Sequence, residues 1–185
     1  ERDHALQRLV DNLGVRNLGR KGLTTMSGIY ISESAHVVNA LPPADCDAST
    51  GFSSDWFSLA QYQHASAVLT TGANGGAGFA LTVEEATSSA GAGAVAIPFA
   101  YASEETASGD VLSVLTDATS SGFTTHASVA NLTYVLEIDG SDLDDGFEWV
   151  RVVGADPGAS APCMASVAVV LTGARFKGDV TPSAI

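Results

Sequence analysis

Two apolar runs near the C-terminus, Trp149 to Val153 and Ala165 to Leu171, most constrain what this chain can fold into. In the first, Phe147, Trp149, Arg151 and Val153 share one face, while Glu148, Val150 and Val152 share the other. Period-two alternation of this kind belongs to a strand. The second run is almost continuous in small and β-branched residues, which predicts a strand buried on both faces. A Gly/Pro/Ser-rich connection joins them, and together they read as the last two strands of an all-β core.

The rest of the chain follows the same rhythm. Ile29–Ile31 and His36–Val38 are strand-like, and Pro42-Pro43 is expected to end that segment because proline cannot donate to a ladder. Ala65, Ala67 and Leu69 alternate with polar neighbours, as do Phe79, Leu81 and Val83. The Asn-Gly turn between these two runs predicts a hairpin. Val95–Tyr101 is a further strand, placed toward an edge by Pro98. Val111–Leu115, Phe123–Val129 and Tyr134–Ile138 complete the series. About eight or nine short strands predict an antiparallel β-sandwich or jelly roll over residues 29–185. Phe79, Leu81, Val83, Trp149 and Val169 are its expected buried residues.

Residues 1–28 stand outside that pattern. Leu6, Leu9, Val10 and Leu13 fall at i, i+3, i+4 and i+7, which predicts a short amphipathic helix with Asp3 as N-cap and Gly14 as its stop. An extended arm follows. A stripe so short needs a surface to rest on, its own body or a partner.

The formal net charge of −13 is unevenly distributed. Arg2, Arg8, Arg16, Arg20 and Lys21 outweigh Glu1, Asp3 and Asp11, so the first 21 residues carry +2 and the remainder −15. Between Gly22 and Val150 there is no Lys or Arg. An acidic body repels phosphate backbones, which argues against a nucleic-acid partner. The basic arm is a candidate docking element, with Leu6, Leu9, Val10, Leu13, Arg16, Arg20 and Lys21 as its contact residues. No apolar run is long enough for a membrane helix. The charged N-terminus lacks a signal-peptide pattern, so a soluble protein made in a cytoplasm is expected.

Candidate chemistry is sparse. Asp139, Asp142, Asp144, Asp145 and Glu148 form an acidic loop, but the EF-hand spacing would place Leu143 at a ligand position, so a solvated turn is expected. His4, His36, His64 and His126 are scattered without paired spacing. Cys46 and Cys163 leave both one disulfide and two buried thiols open. No GxSxG elbow or phosphate-binding glycine loop occurs. Trp56, Tyr62 and Trp149 are candidates for a sugar platform or for core packing. The expectation is a non-enzymatic protein without metal or cofactor.

Several segments resemble a known family. They are Met26-Ser-Gly-Ile-Tyr, Leu41-Pro-Pro-Ala-Asp, Phe57-Ser-Leu-Ala-Gln-Tyr, L-T-V-E-E at 81–85, D-D-G-F-E-W-V-R-V-V at 144–153 and V-L-T-G-A-R-F-K-G-D at 170–179. Across about residues 26–180 they are similar to the head decoration, or cement, proteins of tailed bacteriophages and their relatives. The resemblance implies a sandwich or jelly-roll body on the capsid exterior, often trimeric, that bridges subunits of the major capsid protein. The arm has no counterpart in that pattern, and its anchoring role follows from charge and periodicity. Alternatives are a carbohydrate-binding module on the virion surface and a head–tail or tail component.

Overall fold

The computed structural model describes residues 31–46, 51–74, 78–104, 111–127, 129–156, 163–175 and 185. Within them the chain is all-β apart from one helical turn, α1 (Ile31–Ser34). The strands in chain order are β1 (His36–Asp45), β2 (Phe52–Ser53), β3 (Phe57–Ser58), β4 (His64–Asn74), β5 (Ala80–Ala86) and β6 (Val95–Ile97). They continue as β7 (Phe99–Ser103), β8 (Thr116–Ala118), β9 (Phe123–Thr124), β10 (Thr133–Asp139), β11 (Trp149–Ala155) and β12 (Cys163–Thr172).

These strands form two antiparallel sheets. The long sheet runs β1-β12-β4-β10-β7-β8. The short sheet runs β2-β11-β5-β6, with β3 also on β11 and β9 also on β5. Alternation decides which side chains enter the core. The long sheet sends in Ala65, Ala67 and Leu69 from β4, Tyr134, Leu136 and Ile138 from β10, and Val167, Val169 and Leu171 from β12. The short sheet answers with Leu81 and Val83 from β5 and Val150 and Val152 from β11. All belong to one continuous apolar cluster. Fully burying each Leu or Val contributes about 1.5–3 kcal/mol, which makes this shared cluster the main stabilising term. Aromatic pairs extend it, with Phe52 edge-on to Phe79 and Tyr101 stacked on Phe123. Gly154 occupies an inward position of β11 because the Phe52 ring fills the space: an added Cβ would lie 2.2 Å from it.

Several expectations from the sequence need correction. The runs around Ala65–Leu69 and Phe79–Val83 are not a hairpin: β4 pairs with β12 and β10, whereas β5 pairs with β11, β6 and β9 in the opposite sheet. Turn chemistry signals a reversal but does not say in which sheet the returning strand lands. Val95–Tyr101 is likewise two strands. Pro98 separates β6 at the edge of the short sheet from β7 inside the long one, so the missing N–H falls where the ladder changes sheets. β1 does not stop at Pro42-Pro43 but passes through them with two register shifts, which its edge position permits.

β12 is buried on one face only, because its alternate residues Met164 and Ala168 are exposed. Trp149 is half-buried, since the inward row of β11 is Val150 and Val152. Val111–Leu115 is not a strand. Leu112 makes a single bridge to Glu104, and the segment leaves Val111, Leu112, Val114 and Leu115 exposed. Among the described residues of Phe123–Val129 only Phe123–Thr124 form a strand, and Ile31 lies in the helical turn. Cys46 is buried.

Candidate functional site

The residues singled out in the arm, Leu6, Leu9, Val10, Leu13, Arg16, Arg20 and Lys21, lie outside the described residues, as does the predicted helix. The described site features fall on the two outward sheet faces and on the loop before β11.

The acidic loop is a set of hydrogen-bonded turns. The Ser141 amide and hydroxyl both donate to Asp139 Oδ1, at 2.9 and 2.8 Å. The bond from the Ser141 amide, more than any other contact, holds the Asp139 carboxyl below its usual range. The Asp142 amide donates to the Asp139 carbonyl, and the Phe147 amide to that of Asp144. From below, the Asp144 amide donates to Glu85 Oε2 at 3.0 Å. Glu85 continues the inward row after Leu81 and Val83 and is 1% exposed. Burial pushes its carboxyl up from the ordinary value, partly offset by that amide. Among the described residues no cluster of three or more His, Cys, Asp or Glu side chains is arranged to hold a metal ion.

A second polar feature was not legible in the sequence. Register places His64 and Ser66 of β4 beside Glu137 and Asp139 of β10, on the outward face of the long sheet. Glu137 Oε2 lies 2.7 Å from His64 Nε2 and accepts the Ser66 hydroxyl at 2.5 Å. The His64–Ser66 separation is 3.5 Å. An activated serine would donate to the imidazole, and the acid would hold the other ring nitrogen and stabilise the imidazolium that forms. Here the carboxylate takes both donors on one oxygen, so Ser66 is held and not activated. A shallow depression of about 310 Å³ lies beside this cluster, lined by Phe99, Asp117, Glu137, Asp139 and Asp142 among others. The only signal for it was the i, i+2 spacing of His64 and Ser66; the pairing with Glu137 is a register fact.

The aromatic candidates do not gather into a platform. Tyr62 is a core residue at 2% exposure. Trp56 is half-buried beneath Arg151, whose guanidinium carbon sits 4.5 Å from the ring centroid. Gly91, at φ +76°, lies against the same indole, where an added Cβ would meet it at 2.9 Å. Arg151 also pairs with Glu84 across the β11–β5 register, with Nη2 to Oε2 at 2.8 Å.

The outward faces of the two sheets therefore differ. The short sheet carries the Arg151–Glu84 pair and Trp56. Across the middle of the long sheet, register aligns Asn39, Ala168, Val68 and Val135 in one outward row with no charge. Thr133, Thr70 and Ser166 form the adjoining row, also uncharged. Acids stand on both sides of these rows: Asp117, Glu137 and Asp139 on one, Asp45 opposite Met164 on the other, with Glu104 beside Thr133.

Fold and surface together define a two-sheet, all-β domain whose distinctive features are surfaces. Comparison with known families, curated proteins and solved structures finds no match to the chain.

Proposed function

We propose that the chain is a structural virion protein, a decoration or cement protein on the exterior of a phage head that binds between subunits of the major capsid protein and stabilises the shell. The resemblance described above motivates the reading. The observation that carries it is the surface just described: polar side chains are held in pairs and turns, while two uncharged rows, Asn39–Ala168–Val68–Val135 and Thr133–Thr70–Ser166, cross the long sheet of an acidic body.

In this reading the two sheets form a sandwich or jelly-roll body, assembled as a homotrimer. The segment with Leu6, Leu9, Val10 and Leu13 on one stripe, followed by Arg16, Arg20 and Lys21, anchors the body to the shell. Many weak contacts repeated over a lattice stabilise it through avidity. No catalytic step, metal or cofactor is assigned.

Co-sedimentation with bare capsid shells tests the proposal. The full-length protein is expected to pellet with shells in a saturable ratio and to raise the temperature at which they rupture. Charge reversal at Arg16, Arg20 and Lys21 is expected to weaken binding, most at low salt. Protein that stays in the supernatant at every ratio overturns the reading.

A further inference from the structure

We propose that Cys46 and Cys163 form a disulfide that staples the edge strand β1 to β12, closing under oxidising conditions and opening under reducing ones. The inference goes beyond the capsid reading and stands without it.

Register carries it. β1 and β12 are antiparallel neighbours, and their ladder ends with Ala44 opposite Ala165 and Asp45 opposite Met164, with no shift between those two pairs. One further step along the same ladder sets Cys46 opposite Cys163, the first residue of β12. Burial along this end of β1 keeps the beat of a strand: Ala44 is half-buried, Asp45 is exposed and Cys46 is 1% exposed. Directly opposite positions on antiparallel strands share one face of the sheet, with Cα atoms about 4.5–5.5 Å apart. A disulfide takes a Cα separation of about 4.4–6.8 Å, so a bridge here asks no rearrangement of the backbone. The chain has two cysteines, far apart in sequence, and the fold sets them on one rung.

The ladder is weakest where the staple would sit. β1 is the edge of the long sheet and has β12 as its one neighbour there. Pro42 and Pro43 donate no hydrogen bond, and the β1–β12 register shifts twice before Ala44. β12 is irregular toward β4 as well, between Cys163 and Ala165. A covalent link at this end therefore holds the strand where its hydrogen bonds hold it least. It also joins positions on the order of a hundred residues apart, so it removes many conformations from the unfolded chain.

The chemistry is thiol–disulfide exchange, with a small-molecule disulfide as the oxidant. One cysteine thiolate attacks that disulfide, makes a mixed disulfide and expels one small thiolate. The second cysteine thiolate attacks the protein sulfur of the mixed disulfide and expels the other. The oxidant's S–S bond is broken, the Cys46–Cys163 bond is made, and the two protein protons leave with the two small thiols. A reducing cytoplasm runs the exchange backwards, and an oxidising exterior drives it forwards. Opening gives back the weak bond from the Cys46 thiol to the Ala44 carbonyl, 3.5 Å away. Burial of Cys46 shields the closed bond from reductants, so the staple persists once made.

The test equilibrates the full-length protein with glutathione disulfide or with dithiothreitol, then unfolds each sample in iodoacetamide for intact mass and peptide mapping. The oxidised sample should take up no iodoacetamide, remain a single chain and yield one linked peptide pair joining Cys46 to Cys163. It should melt about 5–15 °C above the reduced sample. Cys46→Ala and, separately, Cys163→Ala should each abolish the difference in melting temperature between the two conditions. Each variant is compared with itself, so any cost of the substitution to folding leaves that reading intact. Two alkylated cysteines in the oxidised sample overturn the proposal, as do chains linked to one another or a glutathione adduct as the end product. A closed bond that leaves the melting temperature unchanged overturns the staple.

Discussion

The two sheets face the core alike and face solvent differently. Inward, β4 presents Ala65, Ala67 and Leu69 and β5 presents Leu81 and Val83, all at 0% exposure. Outward, the short sheet holds Arg151 between Glu84 and Trp56, whereas the long sheet shows Ala168 between Asn39 and Val68. The inward rows are fixed by the need to exclude water and must match across the sandwich. Outward positions carry no such demand, so their chemistry records what each face meets. The long sheet keeps a pair too, His64 with Glu137, beside the uncharged Asn39–Ala168–Val68–Val135 row.

The largest expected effect tests the shared part of that comparison. Leu81→Ala in the short sheet and Leu69→Ala in the long one should each cost about 2–5 kcal/mol in denaturant unfolding, since both lie wholly inside one cluster. A loss at one site and none at the other would break the claim that the sheets share a core. Gly154→Ala, which drives a methyl into the Phe52 ring, should cost about 1–3 kcal/mol in the same assay.

Glu85 sharpens the comparison through pH. It stands in the inward row of the short sheet, where its neighbours Leu81 and Val83 are apolar, and its folded-state pKa is raised by burial. The stability tied to its neutral form is fully present below the ordinary value of 4.5 and is lost as pH rises through the raised folded value. Glu85→Gln keeps an acceptor for the Asp144 amide and removes the charge. The variant should therefore gain on the native protein as pH rises through that window, with the difference level above it. A difference in unfolding midpoint that does not vary with pH would show that the carboxyl is not desolvated. The smallest effect belongs outside: Glu84→Ala, breaking the surface pair with Arg151, should cost about 0.2–1 kcal/mol and less at high salt.

What could be read in advance follows the same division. Period-two alternation marked the inward residues Ala65, Ala67, Leu69, Phe79, Leu81 and Val83, because burial imposes the pattern locally. It could not assign strands to sheets, which is why β4 and β5 looked like one hairpin and why Val95–Tyr101 looked like one strand. Val111–Leu115 has strand composition but leaves Val114 86% exposed, since apolar content without a partner strand makes no ladder. Trp149 misled through size: its parity with Arg151 placed it outward, and parity outranked hydrophobicity. The His64–Ser66–Glu137 cluster and the Asn39–Ala168–Val68–Val135 row exist only through cross-strand register, which no single strand encodes.

Hydroxyl-radical footprinting tests most directly whether side chains divide between core and surface as the pairing of the two sheets requires. Relative to the denatured chain, Val37 and Met164 on the long sheet should stay reactive, while Tyr134 and Leu136 of the same sheet and Leu81 of the short one should be protected. Protection of Val37 and Met164 with Tyr134 and Leu81 left reactive would contradict the account.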